Sequence, residues 1–371
     1  MMRPTRHIPA IALGFAMHLS HGTPAAAQSR ARAADSLLAS YAAPNGPGAS
    51  LLVMQDGRVV YTHGYGLANV ETRQPVTPAT NFRLASLTKP FTATAVMLLA
   101  ADGRLAYDDD ITSILPELPA FAHGVTIRHL LTHTGGLPDY EEFVPDTQTA
   151  QVHDRDIPGL IARASAAKFA AGARYDYSNT GYGLLALIVE RRSGKRFASF
   201  LHDRIFAPLG MAGTVAYEDG RSTVPHRAYG YTVTPAGVQR TDQSGTSAVL
   251  GDGGVYSSVS DLARWDAAIA HHTLVSAAAQ ILAWSPPLLA NGTRSEYGFG
   301  WFIDRDVGQL RLRHHGESRG FTNGIIRYPD QRLTVVVLTN RTGGTPWDLA
   351  QQIADLYRGT LRNGASQPWR P

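Results

Sequence analysis

Ser86-Leu-Thr-Lys89 sets a hydroxyl and an amine three residues apart. On a helix such residues share a face, so the Lys89 amine can reach the Ser86 hydroxyl. A serine hydroxyl is a weak nucleophile until a neighbouring base takes its proton. Lysine can be that base if burial or another cation brings its pKa down from about 10.4 towards neutrality. Arginine cannot, because it stays protonated. The chain uses arginine almost throughout and has lysine only at 89, 168 and 195, so a lysine at this spacing is informative. A second match, Ser165-Ala-Ala-Lys168, lies in an alanine-rich stretch expected to form a surface helix.

Further along, Tyr177-Ser-Asn179 occupies a turn-rich loop before an apolar run, Tyr182 to Val189, that reads as a helix. A phenol near the serine and lysine can pass a proton to a leaving group. An asparagine amide can pair with a substrate carbonyl through both its donor and its acceptor. The same residues also suit a helix N-cap with a packed tyrosine. Late in the chain, His314-His315-Gly316 follows an alternating Gln309-Leu-Arg-Leu-Arg and so sits on or beside a strand. His133-Thr-Gly135 looks similar but precedes Tyr177, in a stretch that reads as a helix end and turn. Gly316-Glu-Ser-Arg-Gly320 matches a nucleophile elbow, which needs a following helix and a downstream histidine. A strand pattern follows instead, and no histidine lies beyond His315, so Ser318 is rejected as nucleophile. Adjacent histidines such as His271-His272 diverge rather than share a metal, and H-E-x-x-H is absent. Neither a metal nor a cofactor is expected.

The three motifs, in this order, resemble the serine β-lactamase-related superfamily: class C β-lactamases, D-alanyl-D-alanine carboxypeptidases and esterases of the same fold. Asn81 to Phe91, Thr126 to Leu137, Gly253 to Leu262 and Tyr297 to Trp301 are similar to family segments, in family order. The resemblance implies Ser86 as the acylated nucleophile and Lys89 as its general base. Tyr177 would shuttle protons and Asn179 would hold the substrate amide. His314 would stand where the family has lysine or histidine, with Gly316 beside it. The oxyanion would bind the backbone N–H groups of Ser86 and Glu317. The middle of the third motif is usually threonine and here is His315, so the hydroxyl that grips a carboxylate is missing. His314, His315 or Arg319 would have to replace it.

The elements that must position these groups read as an α/β (α+β) fold. Ser50 to Gln55 and Arg58 to Tyr65 alternate around Asp56-Gly57, a hairpin signal. Strand patterns return at Gly298 to Asp304, Gln309 to Arg313, Phe321 to Tyr328 and Leu333 to Thr339. Helices are expected over Gln28 to Ala42, Pro90 to Ala101 and Trp347 to Leu361. One antiparallel sheet flanked by helices would then be assembled from both chain ends. Residues 28–105 and 251–371 would form that α/β domain and 106–250 a mostly helical insert, with the motifs at the seam.

Residues 1–27 read as a secretory signal. Arg3 and Arg6 precede an apolar run from Ile8 to Leu19, and Ala25-Ala26-Ala27 offers a cleavage site before Gln28. The run is shorter than the roughly 20 residues of a membrane span. With no cysteine there is neither a disulfide nor a lipidated N-terminal cysteine. The expectation is an exported protein without a stable membrane span when mature, periplasmic where the host has an outer membrane. A net charge of +4 without any Lys/Arg tract argues against nucleic-acid binding. The sequence thus points to a serine hydrolase that cleaves an amide or ester of a small-molecule or peptidoglycan-type substrate. A carboxylic esterase on the same fold is the alternative. A non-catalytic binding or sensing module fits less well, since a dead scaffold has no chemical reason to keep Ser86, Lys89, Tyr177 and Asn179 together.

Overall fold

Asp56 and Gly57 both take positive φ, 53° and 74°, as a tight hairpin turn between right-twisted strands requires. They fold the strand Ala49–Gln55 back on Arg58–Tyr65, the expected hairpin. The computed structural model describes residues 24–145 and 147–359. In it the hairpin joins four late strands in one six-stranded antiparallel sheet. The order across that sheet is Phe302–Asp306, Gln309–Ser318, Phe321–Tyr328, Leu333–Thr339, Ala49–Gln55, Arg58–Tyr65. The two chain ends meet where Ala49–Gln55 pairs with Leu333–Thr339, from Ala49 opposite Thr339 to Gln55 opposite Leu333.

Alternation divides the side chains of this sheet between two cores. Leu51, Val53, Ile326, Val335 and Val337 pack with Leu38, Ile353 and Ala354 of the terminal helical segments. Leu52, Met54, Ile325, Val336 and Leu338 face the larger core, which holds the helices Lys89–Ala101 and Asn179–Ser193. The helix Val259–Ala270 is tied to this second face by ions: Asp266 accepts from Arg327 Nε and from the Thr334 hydroxyl, all three residues being buried.

Several expected elements shift. The strand expected from Gly298 begins only at Phe302, because Gly300 turns at φ 79° and lies against Pro90, where a Cβ would come within 2.7 Å of its Cα. The next strand runs on to Ser318 and so carries the whole third motif. The first helix spans Pro24–Leu37 and the last Pro346–Arg358. Residues 163–176 form no helix: the helix Ile157–Ile161 ends early, and the Lys168 N–H is bound to the Gly136 carbonyl. Ser165 is exposed on this irregular segment. The middle of the chain is less uniformly helical than expected, since it includes a small hairpin, Tyr231–Thr234 with Gly237–Arg240. The apolar run of the expected leader lies outside the described residues. No helix among the described residues is long and apolar enough to cross a membrane.

Truncating one partner of a buried ion pair leaves an uncompensated charge, at a cost of about 3–5 kcal/mol. Asp266→Ala should therefore lower the unfolding free energy by about that amount, read as a lower denaturant midpoint at unchanged slope.

Candidate active site

Ser86 lies in a 3₁₀ turn, Ala85–Thr88, that runs directly into the helix beginning at Lys89. The turn is held from outside the helix. Phe82–Arg83 pairs with Val255–Ser257, Leu84 N–H donates to the Val255 carbonyl, and Val255 N–H donates to Thr88 Oγ1 at 3.1 Å. Ala85, just before Ser86, takes a φ of 51°, which costs an L-residue of order 1–3 kcal/mol and persists only where the surroundings fix it. This constraint leaves Ser86 half-buried and its hydroxyl turned towards Lys89.

The Lys89 side chain is buried, with Nζ 2.9 Å from Ser86 Oγ, 2.8 Å from Asn179 Oδ1 and 3.1 Å from the Asp252 carbonyl oxygen. Burial drives its pKa below the ordinary lysine value, against the opposing pull of Asp252, Glu141 and Asp139. Two of its three partners, an amide oxygen and a carbonyl oxygen, can only accept. A neutral amine has two N–H groups for those two acceptors, and its lone pair then falls towards the hydroxyl of Ser86.

Tyr177 packs beside them, its ring centroid 4.8 Å from Lys89 Nζ. Its hydroxyl is buried near Ser86 but makes no hydrogen bond of good geometry among the described residues. Burial pushes the phenol well up, so at neutral pH it can donate a proton but not take one. Asn179 opens the helix Asn179–Ser193, and Ser178 caps it by accepting from Gly181 N–H, so this motif does form a helix cap. The Asn179 amide is oriented by Lys89 on its oxygen and by Glu141 Oε2, 3.3 Å from its nitrogen.

The third motif is placed by strand alternation. Gly316 faces the nucleophile turn so closely that a Cβ would come within 2.1 Å of the Leu84 carbonyl oxygen. His314 points to the same side but into the core. Its Nδ1 lies 2.6 Å from the His315 carbonyl, which can only accept, so Nδ1 carries the proton. Nε2 then accepts from the Tyr297 hydroxyl at 2.8 Å. Burial keeps the ring neutral, and both nitrogens are occupied, so His314 orients Tyr297 rather than facing Ser86 as an acid or base. His315 turns to the other side of the strand and packs on Trp347, at 5.4 Å between ring centroids, and burial lowers its pKa to about 3. Glu317 and Arg319 are exposed at the strand end.

Several residues of the site had no motif to announce them. His133, with a φ of 56°, is buried against Tyr177, Tyr182 and Tyr297, and its Nδ1 accepts from Ser178 N–H at 3.1 Å. The segment dismissed as an imitation of the third motif thus positions the second one. Tyr140 donates to Asp252 Oδ2 at 2.9 Å, directly behind Lys89. Glu141 and Asp139 form an acidic rim beside Asn179, and burial raises Asp139 to about 6. For His133 the family-like segment Thr126 to Leu137 offered a signal, and for Asp252 its G-D-G-G context next to another such segment. No group of three or more side chains among the described residues is arranged to hold a metal ion.

Fold and site together define a serine hydrolase on a β-lactamase scaffold. The chain belongs to the Beta-lactamase family, whose profile matches residues 32–357. It is 36% identical over 316 residues to penicillin-binding protein 4* of Bacillus subtilis, covering 81% of this chain and 70% of that one. It is 29% identical over 324 residues to a D-aminopeptidase of Gluconobacter oxydans, covering 83% of this chain but 58% of that relative. Among solved structures, D-amino acid amidase from Ochrobactrum anthropi SV3, complexed with L-phenylalanine amide, superposes with a TM-score of 0.74 at 26% identity. That match covers 90% of this chain and 98% of the amidase.

Lys89→Arg keeps the charge but cannot accept a proton. Labelling of Ser86 by a fluorophosphonate should fall at least about a hundred-fold, the lower end for losing a general base. Retention of more than a few per cent of the rate would show that Lys89 is not the base.

Proposed function

We propose that this protein is an exported amide or ester hydrolase acting through a Ser86 acyl-enzyme. The reading rests on the lone-pair argument at Lys89: two obligate acceptors consume its N–H groups and leave the basic position facing Ser86 Oγ. In the reaction, Ser86 Oγ attacks the substrate carbonyl carbon as its proton passes to Lys89. The backbone N–H groups of Ser86 and Glu317 would receive the oxyanion, an interaction whose loss costs about 3–4 kcal/mol in comparable sites. The C–N or C–O bond breaks as the leaving amine or alcohol takes a proton through Tyr177. Water, deprotonated in the same way, then cleaves the ester, releases the carboxylic acid and restores Ser86.

The charge around the site favours one class of substrate. On the third-motif side, burial holds both histidines neutral. On the opposite side stand Asp139 and Glu141, beside the asparagine that would grip the substrate amide. Such a field disfavours an anionic substrate and attracts an ammonium group. Relatedness to D-aminopeptidases supports the same choice: small amides or peptides of D-amino acids with a free amino group. Esterase action is a second reading, favoured by the neutral third motif, because ester cleavage needs no grip on a carboxylate.

Steady-state kinetics on a D-amino acid amide, a D-Ala-D-Ala peptide, nitrocefin and a short p-nitrophenyl ester test these readings. The amide should be turned over, the ester more slowly, and nitrocefin poorly, with all activity lost in Ser86→Ala. Efficient nitrocefin hydrolysis would overturn the substrate assignment. Glu141 is exposed, so its ion pair with a substrate amine is worth at most about 1 kcal/mol. Glu141→Gln should therefore raise KM about three- to five-fold for the free amino acid amide and leave its N-acetylated counterpart unchanged.

Export has its own test. Expression of the full chain in a bacterium with an outer membrane should give periplasmic protein beginning at Gln28. Cytoplasmic protein retaining Met1 would overturn this part of the proposal.

A further inference from the structure

Asp252 is a buried acid whose backbone lies against the amine of Lys89. It lies on a four-residue helix, Leu250–Gly253, wedged so tightly against the helix Asn179–Ser193 that a Cβ at Gly251 would come within 2.2 Å of the Tyr182 carbonyl oxygen. The wedge is pinned on every side. Asp154 accepts from the N–H groups of Leu250 and Gly251, both at 2.9 Å, and Thr92 donates its hydroxyl to the Gly251 carbonyl at 2.7 Å. The backbone of Asp252 is thereby fixed where its carbonyl takes one N–H of Lys89. Its carboxyl is also buried, only 7% of the residue being exposed, and accepts from the Tyr140 hydroxyl.

The carbonyl alone would hold the lysine with any residue at 252, and an asparagine would satisfy Tyr140 equally well. The carboxyl adds a charge, and among the described residues the direct partners of Lys89 include no carboxylate. Of the acidic groups that act on Lys89, Asp252 acts most strongly, ahead of Glu141 and Asp139. The groups that face Asp252 are Lys89 from its helix, Tyr140 and Glu141 from the 3₁₀ turn Tyr140–Phe143, Asp154 from the neighbouring turn, and Tyr177. Only Lys89 among them is cationic.

We propose that Asp252 is a positioning residue for acylation: its backbone carbonyl orients Lys89, and its carboxyl, anchored by Tyr140, sets the pH at which Lys89 yields its proton. The inference rests on the acyl-enzyme reading of Ser86 and Lys89. Its sign follows from charge. A carboxylate beside the ammonium stabilises the charged lysine, so the neutral base appears at higher pH than it would otherwise. Burial opposes ionisation of the carboxyl itself, and Lys89 favours it, so the two groups exchange their protons as a pair. Tyr140 supports the ionised carboxyl by donating to it.

The test is the pH dependence of fluorophosphonate acylation at Ser86, a readout independent of the natural substrate. In Asp252→Asn the acid limb should move about one pH unit lower, so that labelling well below the wild-type midpoint is about ten-fold faster. The alkaline plateau should stay within about two-fold. Tyr140→Phe removes only a hydroxyl and should move the limb the same way by a smaller step, which keeps the test open if Asp252→Asn does not fold. Equal midpoints in wild type and variants, with lower plateaus only, would show a structural role and overturn the inference while leaving the acyl-enzyme reading intact. A wild type unlabelled at Ser86 would overturn that reading, and this inference with it.

Discussion

A lysine with its amine fully buried, and no carboxylate among its direct partners in the described residues, is the constraint on which the rest of the site depends. Taking an ammonium out of water costs several kcal/mol unless hydrogen bonds and nearby charge repay it. Lys89 meets this with a ring of oxygens, two of them unable to donate, and with carboxylates held one shell away. Direct pairing with a carboxylate would have raised its pKa and spoiled it as a base. Complete isolation would have left it neutral over most of the pH range, and would have left unsupported the ammonium it becomes on taking a proton from Ser86 in the proposed reaction. The arrangement lies between these limits. It explains why three separate stretches of chain, around residues 89, 179 and 252, converge on one nitrogen.

Convergence of that kind needs backbones to approach closely. The third-motif strand meets the nucleophile turn at Gly316, and the Asp252 helix meets the Asn179 helix at Gly251. A Cβ would meet a backbone oxygen at 2.1 Å at Gly316 and at 2.2 Å at Gly251, and at Gly251 the two helices it would push apart carry the Asn179 and Asp252 oxygens that bind Lys89. The sheet supplies the rigidity behind this. Its central strands are buried on both faces, and the two chain ends are locked into adjacent ladders. The positive φ of Ala85 can be maintained because pairing of Phe82–Arg83 with Val255–Ser257 holds the chain on one side and the helix holds it on the other.

What the sequence revealed and what it hid follow one physical division. Ser86, Lys89, Tyr177 and Asn179 are close to their motif partners along the chain, and local spacing determines much of their geometry. The hairpin at Asp56-Gly57 and the strands Phe321–Tyr328 and Leu333–Thr339 were legible for the same reason, since turn chemistry and alternation are local. His133, Tyr140 and Asp252 act across long sequence separations through packing and single hydrogen bonds, which leave no periodic trace. His314 was placed on the right strand, but its task was not legible, because the tautomer is fixed by the His315 carbonyl and by Tyr297, neither of which the H-H-G pattern specifies. The alanine-rich stretch around Ser165 failed differently: helix propensity there is overridden by backbone bonds to the segment around Gly136.

The two histidines of the third motif also show how one strand can serve opposite ends. Strand alternation sends His314 into the aromatic cluster of Tyr297, Tyr177 and Phe302, where it stiffens the wall behind the phenol. The same alternation sends His315 across the sheet to Trp347 on the last helix. A polar pair of adjacent residues is therefore consumed by structure on both sides, and burial keeps both rings uncharged. Neither ring then adds positive charge to that of Lys89. On the proposed reading, substrate recognition would lean instead on backbone groups, on the Asn179 amide and on the acidic rim. Chemistry and selectivity would then be coupled in the proposed reaction: the carboxylates that support a charged Lys89 would also disfavour another anion in the pocket.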